Sequence, residues 1–208
     1  MGGVFMKKSI RTITLCAVAA LFCWSAQLFA DRQTLRDELI RFHVVANSDS
    51  PEDQAIKLQV RDAVLKSIQA DLRTAANVEE AKAYLQESIP KLQLLVDQTL
   101  KQTGFDGGFR ISLCKEPFDI RHYDTFTLPA GVYESLRIVI GEGMGKNWWC
   151  VSFPTLCIPA TTKEFKDTAV GSGFSESLVR TLTEQPEYEI QFFFLNQLGK
   201  LENIFFQE

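Results

Sequence analysis

Histidine, the side chain that most often performs acid–base catalysis near neutral pH, is rare in this sequence. The chain of 208 residues has two histidines, His43 and His122, and neither lies beside a serine or cysteine in a nucleophile motif. His43 shares one side of a predicted strand with Arg41 and is followed closely by Asn47 and Asp49, which predicts a polar cluster at the strand's end. We interpret this cluster as structural or partner-binding. An exported hydrolase that uses His43 and Asp49 is the alternative.

Three of the five cysteines, Cys114, Cys150 and Cys157, lie beyond residue 30. An odd number of cysteines in an oxidising compartment predicts one disulfide and one free thiol. We pair Cys150 with Cys157, because the Phe153-Pro154 segment can turn the chain back between them. Six residues between these cysteines do not match the spacing of a structural zinc knuckle, so no metal site is predicted.

A glycine-rich segment, Gly141-Glu-Gly-Met-Gly-Lys146, resembles a phosphate-binding loop but departs from it at two positions. The loop needs a glycine where Ile140 stands and a hydroxyl residue where Asn147 stands, so we reject a nucleotide site and predict no cofactor. The glycines instead predict a sharp bend of the backbone. Trp148 and Trp149 follow, and adjacent residues of a strand face opposite sides, so burial of one tends to expose the other. An exposed tryptophan beside a rigid loop is typical of a binding hot spot.

The first thirty residues have the layout of an export signal. Lys7, Lys8 and Arg11 precede an apolar run that ends at Phe29, and Ala30 supplies a small residue for cleavage. We therefore predict a signal peptide over 1–30, with an uncleaved N-terminal anchor as the alternative. The rest of the chain keeps all 26 acidic residues and loses three of the 22 basic ones, so its net charge is −7. Such a surface is a poor partner for nucleic acid.

Hydrophobic periodicity predicts an α+β fold for residues 31–208. The two long helices begin at clear caps, Ser50-Pro51 and Asn77, and the second carries Pro90. We expect one domain with a small antiparallel or mixed sheet, the two long helices on one face, and a C-terminal helix with its phenylalanines in the core. Residues 159–208 form a C-terminal extension that starts with a surface connection over 159–174. Strands are predicted over 39–46, 109–113, 136–140, 148–153 and 188–194, and helices over 51–72, from Asn77 to Gly104, over 174–182 and after 194.

Two stretches together resemble the stage II sporulation protein R family of endospore-forming bacteria: FHVVANSDSPEDQAIKLQVRDAV from Phe42 and LPAGVYESLRIVIGEGMGKNWWCVSFPTLC from Leu128. The string NWWCV followed by FP and LC is the most specific part of this match. The family's more frequent Pro-Pro-Leu is not present around Thr155. The residues that match the family's motifs are His43, Asn47, Ser48, Asp49, Asp53, Gly131, Tyr133, Arg137, Gly141, Gly143, Asn147, Trp148, Trp149, Cys150 and Cys157.

The resemblance implies a signalling protein made in the forespore and exported into the space between the two septal membranes. Its implied partner is a membrane-embedded aspartyl protease of the mother cell, which then removes the pro-sequence of sigma-E. On this interpretation the chain is an activator and not an enzyme, and it has no small-molecule substrate. A peripheral membrane contact through the C-terminal phenylalanines is the alternative to their burial in the core. We predict that the protease docks on Asn147, Trp148, Trp149, Phe153 and Pro154, with His43, Asn47 and Asp49 nearby.

Overall fold

The computed structural model describes residues 2–123, 125–154, 162–172, 174–183 and 189–207. These residues form six helices and six strands. Their bounds, in chain order, are α1 Gly2–Asp37, β1 Ile40–Val45, α2 Pro51–Leu72, α3 Val78–Gln102, β2 Phe109–Phe118, β3 Arg121–His122, β4 Thr127–Leu128, β5 Gly131–Ile140, β6 Asn147–Phe153, α4 Thr162–Gly171, α5 Glu176–Leu182 and α6 Glu189–Gln207.

The main sheet has four strands in the order β2-β5-β1-β6. β1 runs parallel to β5, whereas β6 is antiparallel to β1 and β2 is antiparallel to β5. The sheet is therefore mixed, and the predicted α+β class is confirmed. β2 and β5 each extend over ten residues, about twice the predicted length, because their alternation continues to Phe118 and starts at Gly131.

The two long helices cover one face of the sheet, as predicted. Side chains of Phe42 and Val44 in β1 meet Val60 and Val64 of α2 in one buried cluster, to which α3 contributes Leu92 and its neighbours. The predicted caps are also present. The Ser50 and Asn77 side chains accept hydrogen bonds from the amides of Asp53 and Glu80, which would otherwise lack a partner in the first turn.

A second apolar cluster covers the opposite face of the sheet, and the sequence did not predict this layer. It joins Leu35 of α1, Phe165 of α4, Leu178 of α5 and Leu195 of α6. The predicted surface connection over 159–174 is thus wrong for residues 162–171, which form a helix that buries Phe165 and Ala169. Residues 155–161 lie outside the described residues.

The C-terminal segment differs from the prediction in two respects. Residues 189–194 belong to α6 rather than to a strand, because a short apolar run has no period that separates the two structures. The helix buries Leu195 but leaves Phe193 and Phe205 exposed by 55% and 74%. The prediction of a phenylalanine-filled core is therefore wrong for this face.

The N-terminal helix continues through the predicted cleavage site without a break. Among the described residues α1 is the helix that is long and apolar enough to cross a membrane, a property that signal sequences share. Its C-terminal part is folded into the domain, since Leu28, Asp31, Arg32 and Leu35 are buried. Gln191 of α6 donates a 2.6 Å hydrogen bond to Asp31. Cleavage after Ala30 would therefore leave Asp31–Asp37 in place and remove Leu28 from the second cluster.

Candidate functional site

A network of hydrogen bonds joins the two loops at one end of the sheet, and Asn47 is its centre. The Asn47 carbonyl accepts from the amide of Met144 at 3.1 Å, and its Oδ1 accepts from the amide of Glu142 at 3.1 Å. Its Nδ2 donates to Asp53 at 2.9 Å. Asn47 therefore fixes the loop after β1, the start of α2 and the turn between β5 and β6. We call residues 46–53 and 141–146 together the loop clasp.

Further bonds close the loop clasp from both sides. Asp49 Oδ1 accepts from the amide of Lys146 at 2.6 Å, and the Ala46 carbonyl accepts from Gly145 at 3.0 Å. Lys57 of α2 is buried and donates to the Lys146 carbonyl at 3.0 Å. Hydrogen bonds from Ser48 and Asn47 hold the pKa of Asp53 below its usual value, so its carboxylate stays charged and accepting.

The glycines of the clasp serve backbone geometry, as predicted. Gly141 and Gly143 have φ angles of +57° and +68°, in the left-handed region that favours glycine. A Cβ at Gly141 would collide with Oδ1 of Asn47, the atom that accepts the Glu142 amide. The motif residues Asn47, Asp49, Gly141 and Gly143 are thus brought together by one set of contacts.

A second group of polar side chains lies on the sheet face opposite α2 and α3, and its members His43 and Glu116 are buried. His43 Nδ1 lies 3.2 Å from Glu116 of β2, and the ring stacks on Trp149 with centroids 3.7 Å apart. Glu116 also faces Arg137 of β5, at 3.7 Å between Oε2 and Nε. We call His43, Glu116, Arg137 and Trp149 the histidine cluster.

Arg41 lies beside this cluster and is fully buried. Its guanidinium lies 4.0 Å from the centroid of the Phe118 ring and donates to the Tyr123 hydroxyl at 2.7 Å. Its Nε and Nη1 have no hydrogen-bond partner among the described residues. Contacts with aromatic rings therefore contribute much of the stabilisation of this buried positive charge.

The electrostatics of the histidine cluster favour a neutral ring. Burial lowers the pKa of His43, and the positive charges of Arg137 and Arg41 lower it further, against the raising effect of Glu116. Burial alone would raise the pKa of Glu116, but its hydrogen bond with His43, together with Ser135 and the charge of Arg137, outweighs burial and holds the pKa below its usual value. A carboxylate only accepts hydrogen bonds, so the proton of the neutral ring lies on Nδ1.

The two tryptophans point to opposite faces of β6, as predicted, and both are half-buried. Trp148 packs edge-on against Phe42 and lies under the Arg61 guanidinium, whereas Trp149 covers His43. Asn147 is exposed at the start of the strand. Phe153 and Pro154 are buried, which corrects the predicted docking surface: its accessible part is reduced to the Asn147–Trp149 end of β6.

His43 and Asp49, the residues of the alternative hydrolase, are engaged by different partners. His43 bonds Glu116, while Asp49 bonds the Lys146 amide in the loop clasp. The Nε2 atom of His43 is buried and has no hydrogen-bond partner among the described residues. The second histidine, His122, lies on β3, where its Nδ1 is 3.1 Å from the Thr127 hydroxyl.

Cysteine placement agrees in part with the sequence. Cys114 is a free thiol of intermediate exposure, 3.7 Å from the Ser112 hydroxyl. Cys150 is buried on β6 and is not one of the free cysteines, while Cys157 lies outside the described residues, so their pairing stays a prediction. No cluster of three or more metal-ligating side chains occurs in the described ranges.

The sequence did not identify Glu116 and Tyr123, which form hydrogen bonds with His43 and Arg41 of β1. The predicted strand ended at Leu113, so Glu116 was not assigned a face. The alternation of Arg110, Ser112 and Cys114 could have identified it, because continuing this pattern by two residues places Glu116 on the same side of β2. Tyr123 carried no periodic signal.

The structure is that of an α+β protein with a mixed four-stranded sheet and an N-terminal apolar helix. Hydrogen bonds hold the loop clasp together at one end of this sheet. The family model for stage II sporulation protein R matches residues 36–163, more than half of the chain. The chain is also 32% identical over 156 residues to stage II sporulation protein R of Bacillus subtilis (strain 168), covering 73% of this chain and 70% of that protein. No solved structure matches it. The chain belongs to the stage II sporulation protein R family, and its role is in sporulation.

The loop clasp predicts unequal effects of alanine at two left-handed glycines. Gly141→Ala and Gly104→Ala both place a side chain at positive φ, which costs about 1–2 kcal/mol. Only the first displaces Asn47, since a Cβ at Gly104 meets nothing within 4 Å. We expect Gly141→Ala to lower the free energy of unfolding by about 1–3 kcal/mol more than the control. Urea denaturation of the full chain in mild detergent measures both, and equal losses would contradict the role of Asn47.

The buried neutral His43 predicts a pH-dependent stability. Its pKa in the folded protein is lowered, so below about pH 6.5 the unfolded chain binds a proton that the folded chain does not. The free energy of unfolding should therefore fall as the pH drops from 7 to 5.5, by at most about 1.4 kcal/mol per pH unit. In His43→Gln this part of the slope should be lost, and in the control His122→Gln it should remain. Identical slopes in the two variants would refute the assignment to His43.

Proposed function

We propose that this protein is the exported signal of endospore formation that activates a membrane-embedded aspartyl protease of the mother cell. The activated protease would then process pro-sigma-E. On this proposal the chain is an activator, made in the forespore and acting in the space between the septal membranes. Family membership carries the proposal, because the matched region contains β1, the loop clasp and β6 as one continuous unit.

The geometry of the sheet end supports a docking role. Asn147 is exposed, and Trp148 is held between Phe42 and Arg61 so that its half-buried ring is fixed in orientation. The loop clasp holds the neighbouring turn through side-chain and backbone bonds. A preformed surface loses less conformational entropy on binding than a flexible one, so more of the contact energy becomes affinity.

The apolar surfaces of α1 and α6 support a position close to a membrane. Trp24 of α1 contacts Phe194 of α6 edge-on, with centroids 5.2 Å apart. From this contact, exposed apolar side chains continue along α6 through Leu201 to Phe205. An amphipathic helix with exposed aromatic residues is suited to the membrane interface. We include this peripheral contact in the proposal, whether or not α1 is cleaved.

Activation imposes a condition on how the partner is bound. A ligand that binds two states equally shifts neither population, so this protein must bind the active arrangement of the protease more tightly than the resting one. Stabilisation of a protease dimer and a rearrangement within one subunit both satisfy this condition.

The direct test is reconstitution. The purified full chain is mixed with the protease in lipid vesicles and with its pro-factor, and cleavage is followed by electrophoresis. Cleavage that requires this chain supports the proposal. Cleavage that is independent of it, or no cleavage with an otherwise active protease, would overturn it.

The docking surface predicts a specific loss in one variant. Trp148→Ala should lower the rate of pro-factor cleavage at half-saturating protein by at least about tenfold, because a fixed aromatic anchor is removed. Phe105→Ala is the matched control, since Phe105 is also half-buried against the helix-side core but lies after α3. Circular dichroism verifies that both variants are folded. A folded, exported Trp148→Ala, Trp149→Ala double variant with normal activation would refute this surface.

A further inference from the structure

The outer edge of β2 is an open strand edge of unusual length. β2 spans ten residues and forms one border of the main sheet, and no described strand pairs with its outer side. Native proteins blunt such edges, because unpaired backbone groups attract other extended chains. An open edge of this length is therefore a candidate interaction surface.

The register of the sheet shows which backbone groups of this edge are free. The Gly141 amide donates to the Gly108 carbonyl. Every second residue counted from Gly108, such as Arg110 and Ser112, therefore directs its amide and carbonyl towards β5. The amides of Phe109, Ile111 and Leu113 consequently point outward, away from the sheet. Each of these residues offers an additional strand a backbone donor and acceptor that have no partner among the described residues.

The C-terminal part of the edge is protected, and the N-terminal part is not. Pro117 has no amide hydrogen and Lys115 is an exposed charge, which are two ordinary means of blocking strand addition. Residues 109–113 contain no proline, and their one charged residue is Arg110. The open part is thus about five residues long, enough for a short extended peptide.

The surface at this open part is basic. A groove of about 560 Å³ wraps around the edge and is lined by Arg110, Ser112 and Arg137, with Gln93 of α3 on the other side. No acidic residue is among the described residues that line it. Arg110 is exposed and makes no ion pair with the described residues, whereas Arg137 is shared with Glu116. This local charge contrasts with the net charge of −4 for the chain.

We propose that the Phe109–Leu113 edge binds an extended acidic segment of the partner protein by strand addition. The backbone of that segment would pair with the outward amides and carbonyls, and an acidic side chain would lie beside Arg110 at the cross-strand distance of about 5 Å. β6, the other border strand, is less suited, because its residues from Cys150 to Phe153 are buried. The identity of the partner rests on the proposed function, whereas the surface itself does not.

The first test uses the inactive membrane protease in nanodiscs and measures its affinity for the full chain. Arg110→Glu should weaken binding by at least about tenfold through charge repulsion. Ile111→Pro removes an outward amide but no bond to β5, and should weaken binding similarly. Arg73→Glu reverses an exposed charge at the end of α2 and should change affinity less than about twofold. If Trp148→Ala weakens binding while Arg110→Glu and Ile111→Pro do not, the strand-addition proposal is wrong and the proposed function stands.

A second test does not need the protease. The probes are two blocked peptides, Thr-Glu-Val-Glu-Val-Glu-Thr and its counterpart with lysine in place of glutamate. Amide hydrogen exchange of Phe109, Ile111 and Leu113 is followed by NMR on the full chain in detergent. Slower exchange with the glutamate peptide alone supports the surface even if the protease does not bind at all, an outcome that would refute only the proposed partner. Unchanged exchange with both peptides, or equal slowing by both, overturns the proposal.

Discussion

β1 is buried on both faces, and this constraint shapes the rest of the molecule. All six of its residues are inaccessible, and they alternate between the apolar helix side and a polar side that includes Arg41 and His43. A buried charge or imidazole is costly without partners. The partners on this face are Glu116 of β2 and Trp149 of β6, in the same sheet, and Tyr123, which lies between β3 and β4. On the other face, α2 and α3 contribute apolar side chains that pack against β1.

β1 leads directly into the loop clasp, so the buried strand fixes the position of the clasp at the end of the sheet. Asn47 follows β1 by two residues and bonds both the β5–β6 turn and the start of α2. Because α2 and the β5–β6 turn are both hydrogen-bonded to this one residue, the turn is fixed relative to the start of α2. A surface held in this way loses less conformational entropy on binding than a mobile loop would.

The surfaces of the protein divide into three chemically different regions. The sheet end offers an oriented tryptophan, the β2 edge offers unpaired backbone beside Arg110, and α1 with α6 offers exposed apolar side chains. On the proposed function, the apolar side chains of α1 and α6 would contact the bilayer while the other two regions contact the partner protein. The regions lie on different elements, so variants in each can be separated experimentally.

The sequence by itself determined the long helices, the central strand and the family. Capping residues Ser50 and Asn77 and the alternation in β1 are short-range signals, and they located the long helices and the central strand correctly. The tertiary structure decided which residues meet: the pairing of His43 with Glu116, the burial of Phe153 and the exposed face of α6 depend on strand order and on a second layer. The run Phe192–Phe194 shows why, since its residues are equally apolar in a strand or a helix. Only packing against Ala130 and α1 selects the helix and the side that stays exposed.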